Sequence, residues 1–222
     1  MTMQELARKV RFRLLLKLLD VSDSCALALS RALSRNAGTP SRGLTPEGTR
    51  ETAARLMAEE GIDLGPLNDW FCDLAAQTQI IEDYVKLSIK HGEVLYRQLE
   101  RFLAERPELA PLQILEVGTA MGFSSVLMAH CLDEAGRDGG ILTCDIMRND
   151  QPMNWNCLWG TQGPQSRRQG LADYQHELRR ISYFQGSSRL MAGLLELPRV
   201  HFAFLDGQHD EPSVSRELAW LA

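Results

Sequence analysis

The sequence predicts an α/β fold built on a parallel sheet, and three observations predict it. Residues 112–145 read as strand, glycine turn, helix, strand. The apolar run Ile114-Leu115-Glu116-Val117 is too short for a helix and breaks at Gly118. Apolar residues then recur at Val126, Leu127, Ala129 and Leu132 after Gly122, and Ile141-Leu142-Thr143-Cys144 closes on Asp145. Second, two more short apolar runs follow, at residues 181–185 and 200–206, each with turn signals and a helical stretch behind it. Third, the residues ahead of 112 carry helical rather than alternating apolar spacing, which adds a helical layer at the front. A crossover of this kind lays two parallel strands side by side with the glycine turn at their carboxyl ends, the edge where open α/β sheets bind ligands.

Composition sets the outer limits. A chain of 222 residues, 44% hydrophobic and 24% charged, suits one ordinary domain plus an extension, here a helical part over 1–108 and the sheet-bearing part over 109–222. The net charge of −5 disfavours a broad nucleic-acid footprint. Cys25, Cys72, Cys131, Cys144 and Cys157 are odd in number and form no C-x-x-C, so neither a disulfide framework nor a zinc site is indicated. No run reaches the ~18 apolar residues of a membrane span, and no small-residue cleavage site follows the basic N-terminus, so a cytoplasmic location is the default expectation.

In chain order, residues 3–19 alternate Leu6, Val10, Leu14, Leu15 and Leu18 with Arg8, Lys9, Arg11, Arg13 and Lys17, an amphipathic pattern. It suits a helix docked on protein, with a basic helix on an anionic membrane surface as the alternative. A short apolar stretch at 25–33 precedes a linker-like segment at 36–43. Thr45 and Pro46 predict a helix start, as cap and first residue, and its end near Gly61. Residues 67–91 predict one helix stopped by Gly92, and residues 93–104 another that ends before Pro107. In the central unit, Ser124 and Ser125 are capping candidates for the helix after Gly122.

Asp145 and the next strand are separated by 35 residues, more than a single short helix needs. Residues 149–163, with Trp155 and Trp159, either wall a substrate pocket or merely pin the insertion to the domain; residues 166–180 predict a helix. The strand at 181–185 leads into Gly186-Ser187-Ser188. The fourth, Val200-His201-Phe202-Ala203-Phe204-Leu205, ends on Asp206-Gly207-Gln208-His209 and is apolar enough to be buried on both faces. His91, His130, His176 and His201 fall in helix or strand patterns and read as structural.

The turn decides which nucleotide the edge takes. Gly118 and Gly122 let backbone approach a ligand, and Asp145 can accept hydrogen bonds from the two hydroxyls of a ribose. The dinucleotide pattern would need glycine at Ala120 and Phe123, and the phosphate-cradling loop needs G-K-[ST]; neither is present. Glu116-x-Gly118-x-x-x-Gly122 instead resembles the first motif of class I S-adenosylmethionine-dependent methyltransferases, and Asp145 matches their second acidic position. Leu205-Asp206-Gly207-x-His209 resembles the fourth-strand motif of the branch that methylates hydroxyl oxygens, sugar hydroxyls included.

The resemblance covers residues 112–221. It implies a Rossmann-like methyltransferase sheet of strand order 3-2-1-4, with the front helices as a lid over the cleft. It also implies cofactor contacts from Glu116, Gly118, Thr119, Ala120, Gly122, Ser124, Asp145, Ile146, Ser187 and Asp206. At Ser187 the family's usual acid is absent, so the location carries over but not the charge.

Asp206 either binds a divalent ion, holds the cofactor's amino group or only shapes the turn, and no metal is assigned. His209 is the candidate general base, or else a cap of the following helix. The family's sheet has seven strands, so strands five to seven are expected to be missing here and strand four to be an edge: either the chain is one part of a longer protein, or another subunit, such as a second copy of the chain, covers that edge, or the fold is incomplete and inactive. The expected reaction is methyl transfer from S-adenosylmethionine to a hydroxyl of a small molecule or sugar. A non-catalytic cofactor-binding or assembly module, and a nicotinamide-dependent oxidoreductase, are the competing readings.

Overall fold

A computed structural model describes residues 43–82, 87–195, 199–208 and 210–221. The expectations for 3–19, for 25–33 and for the linker up to residue 42 lie outside the described residues. Strands β1 (Leu112–Val117), β2 (Gly139–Asp145), β3 (Ile181–Gln185) and β4 (Phe202–Leu205) form one sheet of order β3-β2-β1-β4, with each neighbouring pair parallel. This is the parallel strand order 3-2-1-4 expected from the sequence.

β1 is central, and its period of two sorts the core. Leu112 and Ile114 join the main core with helices α1 (Pro46–Glu60), α2 (Asn68–Thr78), α3 (Lys90–Glu105) and α4 (Phe123–Glu134). Leu115 and Val117 face the other way, into a smaller cluster with Cys144 and Met191 that helix α8 (Glu211–Leu221) helps to cover through Trp220 and Leu221. Glu116 shares the parity of Ile114 and is therefore carried into the interior.

The front helices share one core with the sheet: Phe71, Leu74, Ile89 and Leu99 belong to the same cluster as Leu112, Ile114 and Ile141. α1 starts as predicted, with the Thr45 hydroxyl accepting from the Gly48 amide and Pro46 in the first turn, and it ends at Gly61 in the left-handed conformation.

The single helix expected over 67–91 is broken. α2 stops at Thr78, where the Gln79 and Ile80 amides both donate to the Ala75 carbonyl. Ile81 then bridges Cys157 in antiparallel fashion, and Glu82 exchanges hydrogen bonds with Asn156. A long-range partner captures the chain and overrides the local apolar periodicity. Gly92 is no stop either: it lies inside α3, where a Cβ would stand 2.6 Å from the Phe123 ring.

The helix expected over 166–180 is also fragmented, into α5 (Arg167–Gly170), a 3₁₀ turn at Ala172–Tyr174 and α6 (Gln175–Leu178), after a 3₁₀ turn at Leu158–Gln162. Trp159 packs at the first of these breaks. Its indole lies flat against Gly170, where a Cβ would meet it at 2.3 Å. Replacing Gly170 with alanine gains about 1 kcal/mol of helix propensity but overpacks the indole at about 1–3 kcal/mol, so the variant should melt lower than wild type. A thermal melt that is unchanged or raised would refute this packing.

β4 is an edge strand among the described residues, and its residues are half-buried or exposed. The expectation of burial on both faces is therefore corrected: Phe202 and Phe204 pack against the main core and Leu205 against the smaller cluster, each only partly buried, and Ala203 is exposed.

Candidate functional site

The carboxyl ends of all four strands open into one cleft of about 510 Å³, within the ~300–1,000 Å³ typical of small-molecule sites. Val117 and Gly118 follow β1, Asp145, Ile146 and Met147 follow β2, Gly186, Ser187 and Ser188 follow β3, and Asp206, Gly207 and Gln208 follow β4. Ser213, Arg216 and Glu217 of α8 complete the wall. Among the described residues, none of those lining the cleft comes from the front helices expected to act as a lid.

Asp145 is fixed by the backbone on both sides. Its Oδ1 accepts from the Met147 amide at 2.8 Å and its Oδ2 from the Ala120 amide at 2.6 Å. The turn between β1 and α4 is thus tied to the tip of β2 by the carboxylate the sequence singled out. Gly118 and Gly122 both have positive φ, 95° and 88°. A Cβ on Gly118 would lie 2.3 Å from the Asp206 carbonyl oxygen, and one on Gly122 would lie 2.7 Å from Leu171. These glycines therefore make room for protein, the first of them letting the β4 tip close against the turn. The Asp206 amide donates to the Val117 carbonyl at 2.8 Å, which fixes Asp206 beside Gly118.

Glu116 does not line the cleft. It is fully buried beneath the turn and accepts hydrogen bonds from the hydroxyls of Ser124, Ser125 and, at 2.5 Å, Thr143. Thr119 joins the same network through its hydroxyl, 2.6 Å from that of Thr143. Burial pushes the Glu116 carboxyl up, and these hydroxyls together with the Arg167 charge pull it back only in part. Ser124 and Ser125 are consequently not caps. Gly122 stands at the cap position without a side-chain bond, and both serines turn inward to the buried acid.

Ser187 lines the cleft and caps helix α7 (Ser188–Leu194), accepting from the Leu190 amide at 3.2 Å. Ile146 lies in the cleft wall as well. Ala120 does too, and its φ of 45° is unusual for a residue with a Cβ. His209 lies outside the described residues. Of the other histidines, His130 stacks on Trp70 at 3.8 Å and bonds Glu177 at 3.0 Å, His201 Nδ1 accepts from the Gln113 amide, and His176 faces Asp133 at 3.2 Å. Cys144 reaches the cleft, but burial pushes its thiol up to about 12, so it holds its proton and is no nucleophile.

Trp155 and Trp159 are buried, meet edge to face at 5.5 Å and do not line the cleft. They pin the insertion. Two residues that sequence reasoning missed stand at the site. Arg167, 1% exposed, donates through Nε to the Ala120 carbonyl at 2.6 Å and sits 3.4 Å from Asp145 Oδ2. Glu217, also buried, accepts from the Ser188 hydroxyl at 2.5 Å. The only local signal was the capping pair Ser166 and Gln169, which starts α5 but says nothing of where Arg167 points. Among the described residues no group of three or more His, Cys, Asp or Glu is placed to hold a metal ion. Nor is any described helix long and apolar enough to cross a membrane.

Residues 115–222 match the family model described as a methyltransferase domain. No curated protein matches the sequence. Among solved structures, the chain is similar to the O-methyltransferase TomG from Streptomyces achromogenes, in complex with SAM, at 18% identity and a TM-score of 0.43, covering 78% of this chain and 58% of that one. The O-methyltransferase from Bacillus cereus, in complex with SAH, is 14% identical with a TM-score of 0.41, covering 87% and 66%. The cofactor-bound protein Rv0187 from MTB is 17% identical with a TM-score of 0.46, covering 81% and 68%. The chain thus spans between 58% and 68% of the length of these relatives.

Proposed function

We propose that this chain is an S-adenosylmethionine-dependent methyltransferase acting on a hydroxyl oxygen of a small molecule or sugar. One observation carries the reading: Gly118, Asp145 and Asp206 come from three different strand tips and border one open hollow in a methyltransferase domain. The residues fit the cofactor. Each Asp145 oxygen already holds a backbone amide, which fixes the carboxylate at the rim for a ribose hydroxyl, while Ile146, Met147 and Ser187 offer a mixed apolar and polar wall for a base. The turn at 118–122 would hold the methionine end.

Bound there, the cofactor supplies a methyl group on a positively charged sulfur, ready for in-line displacement. The chain must orient the acceptor oxygen and take up its proton. Asp206 sits at the cleft wall where that proton would leave, and His209, nominated by the sequence, is the second candidate base.

The test is transfer of isotopically labelled methyl from S-adenosylmethionine to a panel of phenols, sugars and hydroxylated small molecules. Label should appear on an oxygen, and Asp206→Asn and His209→Ala should slow it. Label on nitrogen or carbon would refute the acceptor class. Cofactor binding without transfer to any acceptor would favour the non-catalytic module.

A further inference from the structure

Arg167 is among the most deeply buried large side chains of the described residues, and it is a cation. It comes from the insertion after β2, not from the strand-end motifs. Its guanidinium lies 5.8 Å from the centres of both the Trp155 and Tyr183 rings, within cation–π range. Its remaining donors converge on one peptide and one carboxylate: Nε bonds the Ala120 carbonyl and a terminal nitrogen approaches Asp145 Oδ2. Ala120 is thus gripped twice, its carbonyl by Arg167 and its amide by Asp145, and it is the one described non-glycine residue with positive φ. Such strained backbone persists only where its surroundings over-determine it.

A buried cation is costly unless it is paired, and a planar fork can serve two acceptors that an ammonium cannot. We propose that Arg167 is the positioning residue for Asp145 and the Ala120 turn, through which the insertion sets affinity for the nucleoside end of the cofactor. Three donors occupy Asp145: the amides of Ala120 and Met147 and the Arg167 guanidinium. A carboxylate has about four acceptor positions, so these contacts leave one lone pair free for a ribose hydroxyl. Without Arg167, the carboxylate and the strained turn lose their common anchor. The insertion and the cofactor seat then move independently.

This inference rests on the cofactor reading above, and the experiment separates the two. S-adenosylhomocysteine is titrated calorimetrically into wild type, Arg167→Met, Asp145→Asn and the double variant, with circular dichroism confirming the fold of each. Arg167→Met should bind about tenfold more weakly, and the double variant no more weakly than Asp145→Asn alone, because both act through one carboxylate. If Arg167→Met unfolds, Arg167→Lys, which keeps the charge and most of the stem, carries the same cycle. Tight binding by wild type with equal affinity in the Arg167 variants, or losses that simply add, would overturn the positioning role alone. No binding by wild type would overturn the cofactor reading itself.

Discussion

Replacing Glu116 with alanine should cost about 2–5 kcal/mol of folding stability, from hydroxyls left unpaired in the interior and the cavity the side chain vacates. The substitution strands the hydroxyls of Ser124, Ser125 and Thr143 in a dry interior beneath the turn. It also leaves a void against β1, the strand paired on both sides. The loss is read as a lower midpoint in chemical denaturation, and a change below about 1 kcal/mol would show that the network is dispensable.

Glu116→Gln isolates the charge. Because the folded carboxyl titrates above its unfolded value, the acid's contribution is fully present below the unfolded pKa and is lost as pH rises through the raised folded one. Wild type should therefore lose stability relative to Glu116→Gln from acidic toward neutral pH. A difference that stays constant, or grows in favour of wild type, would contradict the shift.

Gly118→Ala should be about as damaging, at about 2–5 kcal/mol. The added methyl meets backbone atoms, the Asp206 oxygen at 2.3 Å and its carbonyl carbon at 2.7 Å, which cannot swing aside as a side-chain end can. A residue with a Cβ at left-handed φ costs about 1–2 kcal/mol, and overpacking adds about 1–3 kcal/mol. The relief available is to push the β4 tip away from the turn. Asp206 moves with it, so methyl transfer should fall by more than stability alone explains. A variant that folds normally and turns over at the wild-type rate would show that the closeness of Asp206 to the turn is unimportant.

The sheet was legible because its signals are local. The break at Gly118, the acids at the tips of β2 and β4 and the apolar runs between them needed nothing beyond chain neighbours. Parity along β1 was equally available: Glu116 alternates with Leu115 and Val117 and shares the face of Ile114, so its inward path could have been read and the two serines recognised as its partners. The breaks at Thr78 and Gly170 were not legible, because they go with tertiary contacts: the chain beyond Thr78 pairs with Cys157 and Asn156 from far along the sequence, and Gly170 packs under the Trp159 indole. Arg167 was hidden for the same reason. A cation in a surface-like helix pattern gives no sign that it turns inward between two aromatic rings toward a carboxylate 22 residues earlier.

The central claim is that the hollow between Gly118 and Asp145 seats a sulfonium nucleoside by its ribose. Calorimetric titration of S-adenosylhomocysteine into wild type and Asp145→Ala, with NAD as the control ligand, tests it most directly. The account predicts saturable one-site binding to wild type, a loss of about 1–3 kcal/mol in the variant and no binding of NAD. Equal affinity in the two proteins, or NAD binding in place of S-adenosylhomocysteine, would contradict it.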